Sequence, residues 1–112
     1  VYNLDFIKDI AKGNTDFIKS LCEVYLKDAP QVAISMKQAL QNDDWDELGK
    51  LAHKLKSTVD TMGLESIQEP VRFVELSAKN KVNLQQLSEA VQKIDDVITL
   101  SVGQLQQEMA TM

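Results

Sequence analysis

His53 is the one histidine in the chain, and Lys56 follows it at the spacing of one helical turn. Histidine side chains titrate near about pH 6.5, so at neutral pH imidazole is a nucleophile that needs no separate base. A phosphoryl group accepted on such a ring brings negative charge, and a lysine one turn along can give it a charge-assisted hydrogen bond. The other residues at one-turn spacing are Gly49 and Lys50 before the ring and Ser57 after it. Glycine inside a helix costs about 0.5–1 kcal/mol relative to alanine. Because Gly49 lies off the apolar stripe of its helix, it reads as clearance for an incoming group. The plainer alternative is that Lys50, Lys54 and Lys56 form a solvated face on which a lone histidine is ordinary surface.

The rest of the composition removes other chemistry. One histidine and one cysteine, Cys22, leave no set for a histidine-rich zinc site, a di-iron bundle or a Cys-x-x-Cys cluster. No glycine-rich nucleotide loop is present, so a nucleotide site and a cofactor of its own are not expected. Twelve Lys and Arg against seventeen Asp and Glu give a net charge of −5, which argues against nucleic acid and anionic membrane surfaces. Cys22 sits among Leu21, Val24 and Leu26 and reads as a small core residue in a reducing, cytoplasmic setting. No apolar run is long enough to span a bilayer, and a signal segment is not expected.

The elements that must hold His53 are helical throughout. At 112 residues and 44% apolar content, a single domain over 1–112 with a real core is expected. Punctuation at Gly13-Asn14, Ala29-Pro30, Asn42-Asp43-Asp44, Gly63 and Asn80 to Asn83 divides it into six segments. The first carries Leu4, Ile7 and Ile10 at helical spacing; the second, Phe17, Ile18, Leu21, Cys22, Val24 and Tyr25 on a wide apolar face. Pro30 predicts a break or kink, with a third helix beginning there and carrying Val32, Met36, Ala39 and Leu40. In the fourth, about 44–62, Asp44 and Glu47 form a capping-box pattern ahead of Trp45, Leu48, Ala52, Leu55, Val59 and Met62. His53 is one residue past the stripe position Ala52 and turns about 100° away from it, towards rim or solvent. A fifth helix with Leu64, Ile67, Val71, Val74 and Ala78 is kinked by Pro70 or starts later than Leu64. The last opens on the pair Asn83 and Gln86, another capping pattern. Short loops between long helices predict antiparallel neighbours and an up-down bundle.

The run Ala52-His53-Lys54-Leu55-Lys56-Ser57-Thr58-Val59-Asp60-Thr61-Met62-Gly63 resembles the active segment of the histidine-containing phosphotransfer (HPt) domain family of bacterial multistep phosphorelays. Gly13 to Phe17, Tyr25 to Pro30, Ala39-Leu40 and Asp43 to Trp45 are similar to that family's approach to it. The likeness covers roughly residues 4 to 80, the final helix matching in pattern only. Ser57 to Asp60 is bulkier and more polar than the family's usual glycine-rich stretch.

The resemblance implies an all-α fold, an antiparallel up-down four-helix bundle with one or two extra N-terminal helices. It implies that His53 accepts a phosphoryl group from a receiver-domain phospho-aspartate and passes it to another receiver aspartate. Lys56 would then stabilise the phosphate, and Gly49, Lys50, Ser57 and Asp60 would form a partner-binding rim, with Ile34 a further candidate. The receiver would bring Mg²⁺, which agrees with a histidine that has no carboxylate cluster around it in sequence. Such a chain is a monomeric phosphocarrier without turnover, whether standing alone or as part of a hybrid sensor histidine kinase. The wide apolar face of the second segment leaves dimerisation open. The rival expectation is a helical interaction or adaptor module that carries no phosphate.

Overall fold

In a computed structural model, which describes residues 2–111, five α-helices and one 3₁₀ turn follow each other in the chain. They are α1 (Asp5–Ala11), α2 (Thr15–Gln41), α3 (Trp45–Thr61), α4 (Gln68–Asn80) and α5 (Leu84–Met109), with the 3₁₀ turn at Glu65–Ile67 before α4. The α2–α5 helices close a four-membered bundle, each packing on its sequence neighbour, with α5 returning to α2. Short connections make consecutive helices antiparallel. The 43 Å long axis matches a 27-residue α2 at about 1.5 Å per residue. One additional N-terminal helix, α1, packs on α2.

Pro30 does not end a helix. The α2 helix runs through it from Thr15 to Gln41, merging the expected second and third segments. Proline there removes one backbone hydrogen bond at a cost of about 3 kcal/mol. The buried stripe of Cys22, Tyr25, Ala29, Ala33, Met36 and Ala39 crosses it without changing face, and that packing offsets the lost bond. Pro70 agrees with the later start: it is the third residue of α4, where its missing N–H has no intrahelical partner to lose.

Asn83 departs from the capping expectation. It sits in the left-handed region at φ 55° with no side-chain cap bond, and only its carbonyl contacts Gln86 N–H. The apolar periodicity of α3, α4 and α5 holds: Leu48, Ala52, Leu55, Val59, Val71, Val74, Leu87, Val91, Ile94, Ile98 and Leu105 are all buried. Ile10, Phe17, Val24 and Ile34, by contrast, are exposed.

A polar pair fixes α2 against α5 inside this core. Ser101 Oγ donates to the Ile98 carbonyl at 2.7 Å, so its one proton is committed. The contact between Tyr25 Oη and Ser101 Oγ at 2.6 Å therefore has tyrosine as donor. Burial pushes the Tyr25 hydroxyl pKa up, which keeps that donor protonated. The proton inventory makes the pair asymmetric. Ser101→Ala strands a buried hydroxyl and is expected to cost about 1–3 kcal/mol, whereas Tyr25→Phe forfeits about 1 kcal/mol. Urea denaturation of the two variants checks the order, and equal losses would show that Tyr25 finds another acceptor.

Candidate functional site

The α3 helix is held at both ends. Asp44 caps it through a hydrogen bond from Glu47 N–H at 3.2 Å, the first half of the expected capping box. At the other end Gly63 turns the chain with φ +63° directly against Asn3. Between them Leu48, Ala52, Leu55 and Val59 bury one stripe and leave the next residue, His53, with a side chain 70% exposed.

His53 is not free of carboxylates. Glu75, on α4, places Oε2 against His53 Nδ1 and Oε1 3.1 Å from Lys56 Nζ, so one carboxylate bridges the two side chains that the sequence singles out. An ionised carboxylate only accepts, so Nδ1–H donates, and in the neutral ring Nε2 carries the free lone pair. Partial burial of Glu75 acts to raise its carboxyl pKa. The hydrogen bonds from Lys56 and His53, with their charge, outweigh that and hold it below its ordinary value. Glu75 is therefore anionic at neutral pH.

Nothing in the sequence spacing reveals this contact. Glu75 is one residue past the stripe position Val74 and reads as rim. It meets His53 only because α4 packs along α3, and a charged residue beside a stripe on each helix is the one available signal.

His53 stands on a ridge between two hollows. On the α4 side lies a depression lined by Trp45, Asp46, Gly49, Lys50, His53, Glu75 and Lys79. On the α2 side an apolar groove of about 200 Å³ runs between α2 and α3. Leu21, Val24, Tyr25 and Val32 line it from α2, with Lys54, Ser57 and Thr58 from α3. The four expected rim residues thus divide: Gly49 and Lys50 face one hollow and Ser57 the other. Asp60 is exposed and paired with Arg72 of α4 at 2.9 Å. Ile34 lines neither hollow.

Gly49 has a packing role that the α3 stripe does not show. A Cβ there would lie 3.6 Å from Ala78 Cβ and 3.7 Å from the Lys79 backbone nitrogen, ordinary contact distances. Alanine fits; a longer side chain would press on α4 or close the depression beside His53.

Among the described residues, no three His, Cys, Asp or Glu side chains come together as a metal site. No helix among them is long and apolar enough to cross a membrane. No curated protein and no solved structure matches the chain. The family model for the Hpt domain does match, over residues 20–112, which takes in most of α2 and everything after it. With its bundle of helices and a match across most of its length, the chain belongs to the Hpt domain family, the phosphotransfer modules of phosphorelays.

Proposed function

We propose that His53 takes a phosphoryl group from the phospho-aspartate of one receiver domain and gives it to the aspartate of another. The observation that carries this is the exposed imidazole whose Nδ1 is tied to Glu75, leaving Nε2 open to solvent. Hpt domains work with receiver domains and are phosphocarriers rather than nucleotide-binding enzymes. Attack is by the Nε2 lone pair on phosphorus as the bond to the aspartyl oxygen breaks, its electron pair leaving with that carboxylate. Lys56, one turn from His53 and partly exposed, turns from Glu75 to the incoming phosphoryl oxygens. Mg²⁺ belongs to the receiver in this reading and neutralises phosphoryl charge there.

Incubation with a phosphorylated receiver tests the proposal. Label is expected to move to this chain and to be acid-labile and base-stable, as phosphohistidine is. No label, or acid-stable label, would refute it.

The receiver seats over the α2–α3 groove as well as the ridge. Val24 is 57% exposed on the wall of that groove, an apolar side chain at the surface with no packing duty. Val24→Asp is therefore expected to slow transfer from the receiver by about tenfold, since a desolvated charge opposes docking. Its urea midpoint should stay unchanged, as for other exposed positions. Native transfer rates in this variant would remove the groove from the interface.

A further inference from the structure

Receiving and releasing a phosphoryl group make opposite demands on the imidazole, and Glu75 bears on the second. This inference rests on the phosphocarrier reading and concerns the phosphorylated ring. When Nε2 of the neutral ring forms its bond to phosphorus, the Nδ1 proton stays and the ring becomes a phosphoimidazolium. In donation an aspartate oxygen of the receiving domain bonds to phosphorus, the N–P bond breaks and its electron pair returns to Nε2. With Nδ1 still protonated, the ring departs as neutral imidazole and needs no proton from elsewhere. If Nδ1 has lost its proton to solvent, the ring must depart as imidazolate, a far poorer leaving group.

We infer that the Glu75 carboxylate retains the Nδ1 proton on phosphorylated His53, so that the phosphoryl group is held in its transferable form at neutral pH. Geometry carries this. Glu75 Oε2 is in hydrogen-bond contact with Nδ1, and its side chain is partly covered where α4 packs on α3. An anionic acceptor in contact with a cationic ring favours the form that keeps the shared proton. The other charged groups facing the ring are few. From α3 these are Lys56, on the second oxygen of Glu75, with Asp46 and Lys50 lining the depression; from α4 it is Lys79. On the opposite side Asp28 of α2 and Lys54 of α3 line the groove. Of these, only Glu75 touches Nδ1. Lys56 opposes its effect while bonded to Glu75, and that opposition weakens once Lys56 turns to the phosphoryl oxygens.

The test separates charge from orientation. Glu75→Gln keeps an oxygen that accepts from Nδ1–H and hence keeps the tautomer, but loses the charge. Glu75→Asp keeps the charge on a shorter arm. Each protein is phosphorylated chemically with phosphoramidate, which needs no receiver, and the phosphorus-31 shift is followed against pH to report ring protonation. The midpoint in the native chain is expected about one pH unit or more above that of Glu75→Gln, with Glu75→Asp between them.

Transfer to a receiver at pH 8 should fall about tenfold in Glu75→Gln and converge with the native rate in acid. The inference is overturned by coincident phosphorus midpoints, or by a donation defect that is the same at every pH. A failure of the carrier reading itself looks different: the phosphorus titration proceeds as expected, but no receiver exchanges phosphate with the chain.

Discussion

Gly63→Ala is expected to destabilise the chain by about 2–4 kcal/mol, a large loss for the addition of one methyl group. Two costs combine. The first is conformational, because φ of +63° lies in the left-handed region, which costs a residue with a Cβ about 1–2 kcal/mol. The second is steric. The added carbon would lie 2.6 Å from both Asn3 Cβ and the Asn3 carbonyl oxygen, and 2.9 Å from the Asn3 nitrogen. Two of those three are backbone atoms, which no rotamer change moves.

The N-terminal segment would have to lift. With it would go the Asn3 N–H to Met62 carbonyl bond at 2.9 Å and the Tyr2 hydroxyl to Glu108 bond at 2.9 Å. The burial of Leu4 and Ile7 would also loosen. Gly103→Ala is the matching control. Gly103 is helical in α5 and nothing lies within 4 Å of its would-be Cβ, so alanine should stabilise by about 0.5–1 kcal/mol. Urea midpoints of the two variants decide the matter. A neutral Gly63→Ala would mean that the strap does not hold the end of α3.

His53→Gln carries the largest functional effect. The amide has no nucleophilic lone pair, so phosphoryl acceptance should fall by about 1000-fold or more, to the level of background labelling. Stability should change little. The side chain is 70% exposed, and Glu75 retains Lys56 as a partner at 3.1 Å when the ring is gone. Transfer assays on a variant shown to be folded by circular dichroism check both halves. Label retained in His53→Gln would place the acceptor elsewhere.

Much of the framework is legible in the sequence because local rules decide it. The Asp44 cap, the stripe from Leu48 to Val59 and the stop at Gly63 each depend on residues within a turn or two. They suffice to put His53 on the outward side of α3. What escapes the sequence is decided between elements. Pro30 reads as a boundary, but the stripe on either side of it packs as one face, and tertiary burial outweighs a single missing hydrogen bond.

The wide apolar face of the second segment is another such case. Tyr25 goes inward while Phe17 and Val24 remain outside, because a bundle neighbour covers only part of a helix's circumference. Glu75 is the clearest instance. It is separated from His53 by 22 positions and is brought there by the packing of α4 on α3, so no spacing rule along one helix predicts it. Gly49 is half legible: its clearance is visible locally, and its contact with α4 is not.

The most direct measurement of the central claim is nitrogen–phosphorus correlation on the chain, labelled with nitrogen-15 and phosphorylated by a receiver. With Nε2 of His53 as the acceptor, a single phosphorus coupled to that nitrogen is expected, with the Nδ1 proton still present. Phosphorus bonded to Nδ1, or to any residue other than His53, would contradict it.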